Sequence, residues 1–234
     1  MPFTVTELHQ ALRTLDTVRY GSADLSSSLD RIVRVTHDLF SVDGAALMLI
    51  DDQLILRNAV VSDERLSPLE DLQLRHGSGP CLEAFERKTL VSCDDLAADD
   101  RWKEFAAEAT DLGLRAMLAS PIPFATDAVG VFAVFSAERH PWTPEGELAL
   151  TAFTDLAALA ITMSLRSDER GERANQLQQA LDARACIEQA KGILVGTEGL
   201  SAREAFERLR SDARRQRRKL ADVAAEVVDR AQGG

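Results

Sequence analysis

Cysteine is scarce in this 234-residue sequence, and long apolar runs are missing. The three cysteines are odd in number and form no Cys-x-x-Cys pair, which argues against a disulfide framework or a zinc cluster. No segment reaches the roughly 18 uninterrupted apolar residues that a membrane span needs. The first residues lack the basic start and apolar run of a secretory signal. These absences predict a cytoplasmic protein with no metal site and no membrane partner.

Basic residues are fewer than acidic ones, and they are unevenly distributed along the chain. The formal net charge is −11. Residues 1–171 hold 15 Lys and Arg against 28 Asp and Glu, whereas residues 172–234 hold 12 against 10. Residues 201–219 alone hold eight basic and three acidic side chains. Because binding depends on the local field, this asymmetry predicts an acidic part beside one that can attract phosphates. A solvated helix face is the simpler explanation of the same charges.

The first two thirds of the chain alternate helical and strand patterns. Residues 4–20 and 24–40 have helical periodicity, and Asp24 is a plausible N-cap of the second helix. Further helices are expected near 80–87 and 99–113. Five strands are expected at 45–50, 54–61, 89–93, 115–122 and 128–135. The fold class is therefore α+β, with a central, mostly antiparallel sheet flanked by helices.

A glycine-rich turn, His-Gly-Ser-Gly-Pro-Cys, lies between the second and third strands. Such a turn can open a helix beside a sheet and line a small-molecule pocket, or it can simply begin a helix. The candidate pocket residues are His76, Gly77, Gly79 and Cys81. The sequence offers no catalytic set.

The last third of the chain reads as helices. A long helix starts near Thr143, and its apolar stripe is lost over residues 166–173, which we interpret as a linker. Ser201 and Glu204 form a capping box between two further helices. Three apolar stripes predict a three-helix bundle, and the first has the heptad-like spacing of a seam between two copies of the chain. The seam residues are Ala180, Ala183, Ile187, Ala190 and Leu194.

The order of these elements, with the Gly-x-Gly-Pro-Cys turn and the later Arg101-Trp102, resembles a GAF domain over residues 21–165. The resemblance implies a sensory or dimerising module with a small-molecule ligand, but no residue set here names that ligand. The Asn-Lys-x-Phe-Asp motif of cyclic-nucleotide GAF domains is not evident. Some GAF-fold proteins reduce free methionine sulfoxide with cysteines, so Cys81 and Cys93 keep open a reductase or redox-sensor alternative.

Residues 174–229 resemble an ANTAR domain. The resemblance rests on three stretches: Ile187-Glu-Gln-Ala-Lys-Gly-Ile-Leu194, Glu204-Ala-Phe-x-x-Leu-Arg210 and Lys219-Leu-Ala-Asp-Val-Ala224. ANTAR proteins are transcription antiterminators that bind paired short hairpins in leader transcripts. The resemblance implies RNA contacts for Lys191, Arg218, Lys219, Ala221 and Asp222, to which charge adds Arg214 and Arg215. The family usually has Asn where Arg217 stands, which leaves the start of the third helix open.

Together these patterns predict five segments: an N-terminal helix at 1–20, a GAF-like domain at 21–165, a linker at 166–173, an ANTAR domain at 174–229 and a tail at 230–234. The predicted function is that of a homodimeric transcription antitermination regulator that binds RNA and is not an enzyme. A dimerising adaptor whose basic patch meets an acidic partner is a further alternative.

Overall fold

The computed structural model describes residues 3–15, 24–64, 67–167 and 171–232. The helices are α1 (Val5–Thr14), α2 (Leu25–Phe40), α3 (Pro68–His76), α4 (Pro80–Arg87), α5 (Lys103–Asp111), α6 (Pro144–Arg166), α7 (Glu172–Glu198), α8 (Ala202–Gln216) and α9 (Leu220–Gln232). The strands are β1 (Gly44–Ile50), β2 (Leu56–Val61), β3 (Val91–Cys93), β4 (Ala116–Phe124) and β5 (Asp127–Ser136). Two short 3-10 turns, Leu96–Ala98 and Asp100–Trp102, precede α5.

The five strands form one sheet in the order β2-β1-β5-β4-β3. Pairs β1–β5, β4–β5 and β3–β4 are antiparallel. Every residue of β1 is buried, as is nearly all of β5. Because side chains alternate between the two faces of a strand, both faces of the sheet centre are covered. Helices α4 and α6 contact β4, and α2 packs on α6. The α+β fold with a mostly antiparallel sheet is confirmed.

The chain divides into two compact units. The first comprises Met1–Leu49 and Leu56–Ala174, and the second comprises Ile50–Ile55 and Asn175–Gly234. In the second unit, α7, α8 and α9 bury a common core. Its buried members are Ile187, Ala190, Leu194, Ala205, Leu209, Ala213, Leu220, Val223, Ala224 and Val228. The three apolar stripes thus meet in one bundle, because each helix can bury its stripe only against the others.

Two predicted helix starts are confirmed at the level of single hydrogen bonds. The Asp24 carboxylate accepts from the backbone N–H groups of Ser26 and Ser27 at the start of α2. Ser201 and Glu204 form the reciprocal capping box that opens α8. Capping of this kind supplies acceptors for N–H groups that have no partner inside their helix.

Other local expectations were wrong or lie outside the described residues. Helix α3 was not expected from the sequence, since its nine residues carry a weak apolar pattern. The first helix, expected to continue to residue 20, ends at Thr14, and residues 16–23 are not described. Residues 168–170 of the expected linker are likewise outside the described part.

Helix α6 carries more apolar surface than the first unit buries. Leu148 and Leu159, two leucines of this helix, are 70% and 39% exposed. By length and composition alone this helix could cross a membrane, although half of its most apolar window is buried within the protein. Core helices pass the same length and composition test, so this is a weak indication.

Candidate nucleic-acid interface

The basic run Arg214–Lys219 spans the end of α8 and the turn that leads to α9. All six of its residues are exposed. The turn closes through the backbone: the N–H of Arg217 donates to the carbonyl of Arg214, and that of Arg218 donates to the carbonyl of Ala213. Five cationic side chains therefore occupy one short surface stretch of a rigid bundle. Such a surface attracts phosphates and releases their counterions.

Arg217 sets the backbone conformation of this turn. It is the C-cap of α8 and has left-handed backbone angles, φ 54° and ψ 42°. The left-handed conformation is costly for most L-residues but tolerated by Gly and Asn. This explains why Asn suits the position in the ANTAR pattern. The start of the third helix, which the sequence left open, is Leu220, and Arg217 caps the end of the second helix.

Most of the cations in the run are paired with carboxylates of the second unit. The partners are Glu207 for Arg214, Asp212 for Arg215, Glu226 for Arg218 and Asp52 for Lys219. Arg217 has no ion-pair partner within the residues that the structure describes. Exposed ion pairs contribute little stability, about 0–1 kcal/mol each, so a phosphate can displace these carboxylates.

Lys191, the lysine of the Ala-Lys-Gly motif, is less exposed than the cations of the run Arg214–Lys219. Its side chain is 19% exposed, and Nζ lies 2.8 Å from a Glu188 carboxylate oxygen. The same ammonium lies 5.7 Å from the ring centroid of Phe206, and the Arg210 guanidinium approaches that ring at 5.7 Å. Phe206 is half-buried against the bundle core. The sequence pattern did not single out Arg210, because only the tertiary structure brings it to the same ring as Lys191.

The two remaining candidates lie in the first turn of α9. Asp222 is exposed, and an acidic side chain at a helix N-terminus is electrostatically favourable. Ala221 is half-buried, and its carbonyl accepts from the Cys186 thiol at 3.9 Å. Their roles toward RNA stay predictions.

All five residues of the expected seam are buried. Ile187, Ala190 and Leu194 belong to the core that α7 shares with α8 and α9. In this structure the same chain therefore covers these three side chains, and they are packing residues of the bundle. The heptad-like spacing arose because any amphipathic helix repeats its apolar face every three to four residues, whatever covers it.

The glycine turn of the first unit is built around Gln73, a residue that sequence reasoning missed. Its side chain is 2% exposed, and Oε1 accepts from the backbone N–H groups of Cys81 and Leu82 at 2.9 and 3.4 Å. A Cβ on Gly79 would lie 2.6 Å from that oxygen. Gln73 thus caps the N-terminus of α4 and occupies the position where an anion would bind.

The other predicted pocket residues have structural partners. Gly77 ends α3 in the left-handed conformation. His76 Nε2 lies 2.8 Å from a Glu108 carboxylate oxygen, and Nδ1 lies 3.6 Å from Glu104. The hydrogen bond from His76, followed by that from Arg75, lowers the pKa of Glu108. These contacts join α3 to α5.

The cysteines of the first unit are poor candidates for thiolate chemistry. Burial raises the pKa of Cys81 to about 12, and its sulfur contacts the Met117 sulfur at 3.8 Å. Burial and the Asp99 carboxylate raise the pKa of Cys93 to about 12. Because the thiolate is the reactive form, neither environment favours a nucleophile.

An open depression of about 660 Å³ lies beside Cys93. It is lined by Ser92, Cys93, Asp94, Asp95, Ala98, Asp99, Asp100, Arg101 and Arg139. The hydrogen bond from Arg101 lowers the pKa of Asp99, and that from Arg115 lowers the pKa of Asp95. These carboxylates therefore stay ionised and already hold cationic partners.

Comparison with known proteins divides the chain at a similar place, except that the GAF match includes Ile50–Ile55. The GAF domain model matches residues 24–161, and the ANTAR domain model matches residues 175–228. No curated protein shows a significant match.

Solved structures support the fold of the first unit. Free methionine-R-sulfoxide reductase from Neisseria meningitidis aligns with a TM-score of 0.53 at 15% identity, over 67% of this chain and 89% of that one. The GAF domain of the Acinetobacter phosphoenolpyruvate-protein phosphotransferase aligns with a TM-score of 0.51 at 15% identity, over 69% and 96% of the two chains. At such identities the likeness shows the fold alone. The chain belongs to the GAF domain family and carries an ANTAR domain after its GAF domain.

Proposed function

We propose that this protein binds hairpin-containing leader RNA through its ANTAR domain and acts as a transcription antitermination regulator under the control of its GAF domain. The observation that carries the proposal is the exposed basic run Arg214–Lys219 on the bundle that matches the ANTAR model. Structured RNA is recognised mainly by its shape, backbone and unstacked loop bases. A compact bundle with a cationic corner suits a hairpin loop.

The path of the chain at this corner supports the mode of binding. The turn between α8 and α9 lies between two helix ends, so its cations are presented by rigid elements. Phe206, the one aromatic side chain of residues 174–234, is half-buried and flanked by two cations. Base stacking on an aromatic platform is therefore a minor part of the proposal, and phosphate and loop contacts carry it.

Lys219→Ala should weaken binding to a synthetic RNA with two short stem-loops by roughly three- to tenfold near 50 mM salt. Lys191→Ala should act in the same direction. Loss of one phosphate contact should also flatten the dependence of log affinity on log salt by about 0.7–0.9. Fluorescence anisotropy over a salt series measures both quantities, and sedimentation of the complex gives the number of protein copies on the two stem-loops.

Arg230→Ala is the matched control. It removes an exposed cation near the far end of α9, eleven residues or about 16 Å along the chain from Lys219. Its affinity should stay within twofold of wild type. Equal losses in all three variants would indicate nonspecific attraction, and unchanged binding in Lys191→Ala and Lys219→Ala would count against the proposal.

Arg217→Asn should raise the stability of the second unit and lower its affinity for RNA. Asn tolerates the left-handed backbone, so the substitution should raise the free energy of unfolding of the second unit by up to about 1 kcal/mol. It also removes the one cation of the run without an ion-pair partner in the described part of the chain, so RNA affinity should fall. Hydrogen exchange of α8 and α9 reports the first effect and anisotropy the second.

Arg217→Lys serves as the control because it keeps both the charge and the backbone cost. It should leave stability and RNA affinity near wild type. If Arg217→Asn destabilised the bundle, the left-handed cap would not be the conformation in solution.

A further inference from the structure

Residues Ile50–Ile55, which connect β1 to β2, belong to the second unit by their contacts. Three successive residues of this loop touch the start of α9 or the bundle core. Asp52 Oδ2 lies 2.6 Å from Lys219 Nζ, and Gln53 Oε1 accepts from the backbone N–H of Leu220 at 3.4 Å. Leu54 packs against the core shared by α7, α8 and α9.

Hydrogen bonds within the loop hold the conformation that makes these contacts. The Asp51 carboxylate accepts from the backbone N–H groups of Gln53 and Ile55 at 2.8 and 2.9 Å. The backbone N–H of Leu54 donates to the Asp51 carbonyl at 3.0 Å. Leu54 itself has a φ of 59°, in the left-handed region that a leucine seldom adopts. Strained conformations persist where the surroundings hold them, and they concentrate at functional contacts.

The contacts resemble those that a nucleic-acid backbone would make. The Asp52 carboxylate pairs with the ammonium of Lys219. The Gln53 amide oxygen accepts from the backbone N–H of Leu220 at the N-terminus of α9. Both are positions that a phosphate oxygen favours. The ion pair lowers the pKa of Asp52 and raises that of Lys219, so both groups stay charged at neutral pH.

We infer that the loop Ile50–Ile55 is an intramolecular competitor that holds the ammonium of Lys219 and the start of α9 and must leave before RNA occupies them. This inference rests on the proposed RNA binding. The contact is suited to release because the Lys219 side chain is 65% exposed and an exposed ion pair is weak. A chain of phosphates offers several such contacts at once and displaces the loop by mass action.

The position of the loop in the chain supplies a route for control. The loop is covalently joined to β1 and to β2, and β2 is the edge strand of the sheet. A ligand or partner that shifts these strands changes the fraction of molecules with a free Lys219. The apparent RNA affinity scales with that fraction, because only the uncovered form binds.

Asp52→Asn and Leu54→Asn test the inference in the full-length chain. The first removes the carboxylate, and the second removes the apolar contact with a residue that tolerates a positive φ. Each should raise the affinity for the two-stem-loop RNA by roughly two- to fivefold near 50 mM salt. Each should also speed amide exchange at Leu220–Val223 in the absence of RNA. Asp111→Asn removes the same charge from an exposed site on α5 and should change neither quantity.

The two readouts distinguish the possible failures. Unchanged amide exchange in both variants would show that the loop does not cover α9 and would overturn the inference even if RNA binds. Faster exchange with equal or weaker RNA binding would also overturn it, since the loop would then support the interface. If neither the wild type nor any variant bound RNA, the proposed function would be wrong, and the inference would be wrong with it.

Discussion

Ile187→Ala is expected to lower the free energy of unfolding of the second unit by about 2–5 kcal/mol. The Ile187 side chain is fully buried in the core that α7 shares with α8 and α9. Truncation removes apolar contacts and leaves a cavity that three packed helices can only partly close. Hydrogen exchange of the α8 and α9 amides during denaturant titration measures the loss without requiring the whole chain to unfold in one step.

The same measurement decides which surface Ile187 covers. If its partners lie within the chain, the loss should not depend on protein concentration. If the residue belonged to the predicted seam between copies, the loss should shrink on dilution below the dimer dissociation constant, because the wild type then also loses the stabilisation that dimerisation supplies. Val195→Ala on the same helix is the control, since Val195 is 39% exposed and should change stability by less than about 0.5 kcal/mol.

Gly130→Ala should destabilise the first unit by about 3 kcal/mol, the upper end of the usual cost of overpacking. Gly130 lies in β5, between Leu49 of β1 and Ile122 of β4. A Cβ there would lie 2.1 Å from the Met48 carbonyl oxygen, and a backbone atom cannot turn aside as a side chain can. Strand β1 would have to move away from β5, at the cost of ladder hydrogen bonds. Thermal unfolding followed by near-UV circular dichroism should show the change.

Gly146→Ala is the matched control for that clash. Gly146 is also buried in the first unit, but a Cβ there would meet its nearest atoms, in Thr143 and Phe40, at the ordinary contact distances of 3.7 and 3.8 Å. The variant should stay within about 1 kcal/mol of wild type. Similar melting temperatures for the two variants would mean that β1 can accommodate a side chain at Gly130.

Much of the fold could be predicted from local patterns. Asp24, Ser201 and Glu204 marked their helix starts because capping depends on residues three positions apart or fewer. The strands β1, β4 and β5 are predominantly apolar segments, and their types were predicted correctly. Helix α3 was missed because its buried leucines, Leu69 and Leu72, make only a short apolar stripe, and the buried Gln73 beside them is polar and bonds to α4. Only the folded chain shows that this glutamine has a partner.

The candidate interface was predicted in part. Charge alone located the exposed run Arg214–Lys219, because a long stretch of cations cannot be buried without partners. The sequence did not show that Lys191 is packed beside Phe206, or that Arg217 ends one helix instead of starting the next. Both depend on backbone geometry that periodicity does not report.

The sequence by itself determined the two domains, the helix and strand types and the basic corner, since each follows from residues close together in the chain. The tertiary structure decided what covers each apolar or charged surface. In the folded chain, Ile187 packs inside the bundle and Gln73 accepts a hydrogen bond at the start of α4. Asp52 pairs with Lys219. The last pair is separated by 167 residues. Local patterns show that a surface needs a partner, but which partner it finds is decided by contacts that form only when the whole chain is folded.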